Sequence, residues 1–230
     1  MNQKIGIIAA IVGVCAVIIG WNIYQHQQAR PQTQSISKSS SNSSNSSSSS
    51  ASQTSKKTPT ESNKPLIVFF SRTGQNYGGS NLKIGNTHRI ANFIAERTGG
   101  DLYEIVPAKD YPKTYDATTA QAQKEQQSND RPKIKNKMPD VSKYETIFIG
   151  YPIWWSEPPM IVLTFLEQVD LKNKKVVPFD TNAGSGFGDS IEILKKAAPK
   201  SKFLEGFEIA GSEAAGAKNK VNSWLKSIGY

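Results

Sequence analysis

Five short apolar runs, each followed by a segment with helical spacing, leave this 230-residue chain few folds to choose from. Leu66–Phe70, Leu102–Val106, Thr146–Gly150, Lys175–Thr181 and Phe207–Ala210 have the length and continuity of strands buried on both faces. Pro178 weakens the fourth, because proline cannot donate to a ladder. Thr87–Thr98 carries Ile90, Ala91, Phe93, Ile94 and Ala95, and Gly99-Gly100 stops it. Tyr115–Gln127 reads as a polar surface helix. Pro159 opens Met160–Gln168, and Asp189–Ala198 ends at Pro199. Val221, Trp224, Leu225 and Ile228 mark a final helix at i, i+3, i+4 and i+7. The alternation predicts an α/β domain over 64–230, with a parallel sheet, helices on both faces and right-handed crossovers.

In such sheets ligands bind beyond the carboxyl ends of the strands, where strand order reverses. Three loops there draw notice. The first is Ser71-Arg72-Thr73-Gly74, followed after eleven residues by Asn86-Thr87 at a helix start. Hydroxyls and unpaired helix N–H groups converging there suit a phosphate, with Arg72 or Lys83 as optional added charge. The same residues also fit a polar turn with Thr87 as a helix cap. The second loop, Gly150–Pro159, contains Trp154 and Trp155 side by side. Adjacent side chains diverge, so one indole packs inward easily and the other is left beside the cleft, where it offers a platform to a flat ring. The third, Thr181–Gly188, is rich in glycine, which admits a ligand edge to the backbone, and Phe187 is placed to cover it. It lacks the spacing of a dinucleotide fingerprint, and Ser185 lacks the frame of a hydrolase elbow.

Phe69-Phe-Ser-Arg-Thr-Gly74, Asn86-Thr87, Gly150-Tyr-Pro-Ile-Trp-Trp155 and Gly184-Ser-Gly-Phe-Gly188 together resemble the flavodoxin family, in its short-chain branch. The likeness spans roughly 66–228. It implies a three-layer flavodoxin-like fold, a five-stranded parallel sheet in order 2-1-3-4-5 and non-covalent FMN. By the same resemblance Ser71, Thr73, Gly74, Asn86 and Thr87 hold the phosphate. Pro152, Ile153 and Trp154 line the isoalloxazine, with Trp155 beside them as a further candidate cofactor-binding residue, and Ala183, Gly184 and Phe187 approach its other edge.

Two departures from the family pattern stand out. The insertion 75–85 separates Gly74 from Asn86-Thr87, so either Gln75-Asn76 or Asn86-Thr87 can complete the loop. We expect the latter, because the periodic helix begins there, with the looped-out segment as a surface lid or partner contact. The residue after the stacking tryptophan, often glycine, is Trp155, for which a flip to positive φ is costly.

Before the domain, Ile5–Trp21 is apolar and uncharged, close to the ~20 residues that span a bilayer. It is longer than the ~7–15-residue apolar core of a signal peptide. We therefore expect residues 1–24 to be a single-pass membrane anchor with an extracytoplasmic domain, a cleaved signal or lipid anchor being the alternative. Fourteen of the 21 residues from Ser35 to Ser55 are serine, so 25–63 reads as a disordered tether. The sole cysteine, Cys15, lies in the apolar run, which leaves the domain no disulfide and no thiol nucleophile. From Lys64 onward, 23 Lys and Arg against 18 Asp and Glu leave +5, too diffuse for a nucleic-acid footprint.

The resemblance, together with the apolar run, implies a membrane-tethered protein that binds FMN and passes electrons from a donor to an acceptor. It would act either as a carrier or as a reductase of a small acceptor such as a quinone. A serine hydrolase built on Ser185 or Ser71 with His88, and a flavin-free binding module, are the competing classes.

Overall fold

The computed structural model describes residues 64–230. The expected anchor at 1–24 and tether at 25–63 lie outside the described residues, within which no helix is long and apolar enough to cross a membrane.

In chain order the elements are β1 (Leu66–Phe69), a hairpin of β2 (Gly74–Gln75) and β3 (Asn81–Leu82), α1 (Asn86–Thr98), β4 (Asp101–Glu104) and α2 (Tyr115–Gln127). There follow β5 (Thr146–Pro152), α3 (Met160–Glu167), β6 (Lys175–Asn182), α4 (Ser190–Ala197), β7 (Lys202–Phe203), β8 (Phe207–Ala210) and α5 (Lys218–Ser227). The main sheet runs β4-β1-β5-β6, with β7 and β8 sharing the position beyond β6, and every pairing in it is parallel. This is the expected order 2-1-3-4-5, with the fifth strand broken in two.

Pro178 explains the break. Its ladder with β5 is continuous through Ile149, so its missing N–H faces the fifth strand. There β7 pairs with Lys175 and Val176, and pairing resumes only at Phe179 with Phe207 of β8. The residues between them bridge the position that has no donor.

Strand alternation divides the core. Leu66, Val68, Phe70, Ile147, Ile149, Tyr151 and Val176 pack under α3 and α4. Ile67, Phe69, Phe148, Val177, Phe179, Phe207 and Ile209 pack under α1 and α5. Helix α3 is buried from Met160 through Leu166, a stretch in which only Thr164 is polar. Full burial of such side chains contributes about 1.5–3 kcal/mol each. Outside this frame, Arg131 is held by Glu167 and Asn129.

Candidate functional site

Strand order reverses between β1 and β5, so the loops after β1, β5 and β6 meet at one end of the sheet. Helix α1 starts there without a side-chain cap at Gly85. Ser71 takes over that role from seventeen residues away, its Oγ accepting from the His88 N–H at 3.1 Å. Arg89 N–H bonds Gly85 O, the first helical bond. The Asn86 and Thr87 N–H groups precede it and remain for a ligand. Gly85 is required because a Cβ there would lie 2.1 Å from Ser71 Oγ and 2.6 Å from Arg72 O. No carboxylate occurs between Ser71 and Thr87, and Thr73 and Gly74 flank the cradle with Gly74 at φ +82°. This donor set fits a phosphate.

Thr87 does not cap its own helix. Its buried hydroxyl pairs with Thr181 of β6 at 2.8 Å, so toward a ligand it offers backbone N–H. Asn86 turns its amide toward Gly211 in the loop after β8. Gln75 and Asn76 are committed elsewhere. Gln75 Oε1 accepts from Tyr115 N–H at the start of α2 (2.9 Å), and Asn76 Nδ2 donates to Gly74 O (2.9 Å). Arg72 does not face the cradle either. Its guanidinium donates to the carbonyls of Gln75, Pro112, Lys113 and Thr114. Together with the Tyr77–Tyr115 ring contact at 6.1 Å, these bonds fasten the inserted hairpin to the segment before α2.

In the second loop the two indoles do diverge. Trp154 packs inward, edge-on to Phe70 at 5.5 Å and to Tyr111 at 5.1 Å. Trp155 is the exposed one, at 52% of its surface, and its indole N–H donates to Thr119 O of α2 at 2.9 Å. Trp154 and Glu157 exchange backbone hydrogen bonds across Trp155 and Ser156, whose φ values are +52° and +65°. Left-handed φ at both central residues is the type I′ pattern, rare without glycine. The conformation considered costly for Trp155 is therefore already adopted. Below the loop, burial and the bond to Glu125 (2.9 Å) raise the Tyr111 hydroxyl pKa.

The third loop is tied to the second. Ile153 N–H bonds Thr181 O at 3.0 Å, and Asp189 N–H bonds Ser156 O at 2.8 Å. Ala183 and Gly184 are exposed at its tip. Phe187, expected to cover a ligand edge, instead points its ring end at Gly206, where a Cβ would come within 2.7 Å of it. The slot exists because the fifth strand is broken beside Pro178. Pro152 and Ile153 are half-buried between the loops.

Thr181, Asn182, Gly85 and Tyr111 join this site without having been singled out in the sequence, where a Thr-Asn at a strand end or an isolated glycine carries no signal of its own. The hydrolase arrangement is not assembled. His88 lies against Phe69 (ring centroids 4.8 Å apart) and 3.9 Å from Glu104, and it is the His88 backbone that meets Ser71. Ser185 Oγ bonds Gly186 O. Among the described residues no three His, Cys, Asp or Glu side chains are grouped to hold a metal.

The sequence model of a family described as Flavodoxin matches residues 80–228. A Bacteroides eggerthii protein assigned as a flavoprotein is similar at 34% identity, over 73% of this chain and 98% of its own, with a TM-score of 0.60. One from Bacteroides uniformis is similar at 31% identity, over 71% and 98% respectively, with a TM-score of 0.59. A Lactobacillus acidophilus flavoprotein, solved in complex with FMN, shares the fold at 22% identity and a TM-score of 0.52, over 67% of this chain and 97% of its own. No curated protein matches the chain. The sequence match over most of the domain, the strand order and the loops gathered at the switch point agree: the chain belongs to the flavodoxin family.

Proposed function

We propose that this chain binds FMN non-covalently at the carboxyl ends of β1, β5 and β6 and transfers electrons through it. The observation that carries the reading is the start of α1, which has no cap at Gly85: Ser71 reaches it from the first loop, and the first two backbone N–H groups are left for an anion. Ser71 and Thr73 contribute hydroxyls, Gly74 admits the phosphate, and Asn86 and Thr87 donate backbone N–H. Pro152, Ile153 and the two tryptophans line the ring, with Trp155 as the exposed face and Trp154 as its support. Ala183 and Gly184 receive the opposite edge. FMN supplies the redox-active ring when bound. The protein's share is to hold it, orient it and exclude water from one face.

The electron-transfer role has two versions: a carrier between proteins, or a reductase of a small acceptor such as a quinone. The FMN titration of the purified protein tests the cofactor, and a colourless protein that leaves FMN fluorescence unquenched refutes it. Steady-state NAD(P)H oxidation with a quinone separates the two versions. We also propose that residues 1–24 anchor the protein in the membrane and that 25–63 tether the domain on the extracytoplasmic side. The uninterrupted apolar run supports this. Recovery of the chain in the soluble fraction of lysed cells would overturn it.

A further inference from the structure

Beneath the third loop lies a row of polar side chains that FMN binding leaves without a role. Asp180 of β6 is fully buried. Its Oδ1 accepts from Asn182 Nδ2 at 2.9 Å, and its Oδ2 has no hydrogen-bond partner among the described residues. In lateral register beside it stand Tyr151 of β5 and Glu208 of β8. The same Asn182 amide nitrogen reaches Glu208 Oε2 at 2.9 Å, so one amide serves two carboxyl groups. Its oxygen in turn accepts from Gly184 N–H at 2.8 Å. On the other flank the Tyr151 hydroxyl donates to Ser190 Oγ (3.0 Å), which donates to Phe187 O (2.6 Å). Both ends of loop 183–188 therefore hang on this row.

Among the described residues, the groups facing Asp180 include no cation. Tyr151 comes from β5 and Glu208 from β8, and Ser190 at the start of α4 is reached through Tyr151. The other titratable residues of α4 (Glu192, Lys195 and Lys196) are exposed. Helix α3, packed on this face, offers apolar side chains and Thr164, whose hydroxyl bonds Met160 O. An ionised Asp180 would leave one charged oxygen dry and set two carboxylates against one amide. Burial raises its carboxyl most, the Asn182 hydrogen bond pulls it back and Glu208 adds to the rise, so that together they leave it at about 8.

We infer that Asp180 is a positioning residue for the cofactor loop: as the neutral acid it keeps Asn182, and through Asn182 the Gly184 amide, in the ligand-receiving conformation. When the proton leaves, the Asp180 carboxylate draws the Asn182 amide more strongly and repels Glu208 from it, so the amide rotates toward Asp180, Gly184 N–H loses its aligned acceptor and loop 183–188 loosens. Only the ligand arm of the test rests on the FMN reading.

The test compares the full chain with Asp180→Asn and Asp180→Ala between pH 6 and pH 9.5. FMN affinity is read by fluorescence, and the Gly184 amide by its nitrogen-15 NMR shift without FMN. Asp180→Asn keeps the acceptor for Asn182 and replaces the acid O–H by an N–H that does not titrate. Relative to this variant, wild-type affinity is expected to weaken by roughly tenfold across the range, and FMN's own titration cancels in the ratio. The Gly184 shift should titrate with the same midpoint in the wild type and stay flat in Asp180→Asn. Parallel affinity curves, or a Gly184 amide that does not titrate in the wild type, would overturn the inference. If FMN binds at no pH, the cofactor reading fails while the Gly184 titration still decides this one. If Asp180→Ala does not fold, Asp180→Asn carries the test alone.

Discussion

The hydroxyls of Thr87 and Thr181, ninety-four residues apart, meet at 2.8 Å inside the protein and lock the start of α1 to the end of β6. That bond sets the phosphate cradle at a fixed distance from the second and third loops, because Thr181 O also receives Ile153 N–H. Thr181→Val keeps the shape and strands a buried hydroxyl, so it should cost about 1–3 kcal/mol in urea denaturation. Replacing both threonines by valine should recover most of the loss, because neither polar group is then left alone. A double variant as unstable as the single one would show that the pair is not the link.

Gly85→Ala tests the cradle directly. The new Cβ, 2.1 Å from Ser71 Oγ and 2.6 Å from Arg72 O, must push the loop away from the helix. Overpacking of this kind costs about 1–3 kcal/mol. FMN affinity should fall at least as far as with Ser71→Ala, measured by fluorescence titration. Unchanged affinity would mean that the phosphate does not sit at this helix start.

Arg72 is an attractive phosphate ligand on paper, yet its guanidinium is committed to the carbonyls of residues 112–114 and of Gln75. Arg72→Ala should therefore speed amide exchange in residues 110–116 and in the inserted hairpin, with a smaller loss of FMN affinity than Ser71→Ala. Arg72→Lys should not restore protection, because a point charge cannot span several carbonyls. A loss of affinity without a change in exchange would return Arg72 to the phosphate.

Stability should depend on pH through Asp180. Its carboxyl, at about 8 in the folded protein against 3.8 as the ordinary value, keeps a proton that the unfolded chain releases. The unfolded state thus binds fewer protons across that window, so this contribution shrinks as pH rises and is gone above about 8. The limiting slope is about 1.4 kcal/mol per pH unit. Denaturation at pH 6, 7 and 8 should show a decline that Asp180→Asn removes. Equal slopes in both proteins would place the proton elsewhere.

Much of the frame was legible along the chain. Helices Tyr115–Gln127 and Met160–Glu167 begin where expected, and Ile90, Ala91 and Ile94 face the core as their spacing requires. The two residues of β7 and the hairpin β2–β3 were not, since two-residue strands carry no periodicity. Pro178, which by local rules argues against a strand at 175–181, acts on the neighbouring strand: β6 keeps its ladder with β5, and the fifth strand breaks. In the site, the diverging indoles were foreseeable. That Trp155 is the exposed one follows from the turn at 154–157 and its bond to Thr119, which no local rule supplies.

Local pattern along the chain settles the longer strands and helices, their order, and the end of the sheet at which the loops gather. Alternating burial, helical spacing and glycine stops are local properties, and the right-handed crossover does the rest. Only the tertiary structure decided what each side chain is occupied with. Thr87 is bound to Thr181, Arg72 to the segment before α2, and Phe187 to the slot at Gly206, while Asp180 is left with a dry oxygen. Those outcomes depend on lateral register between strands and on partners tens of residues away, where hydrogen bonds must be satisfied across the fold.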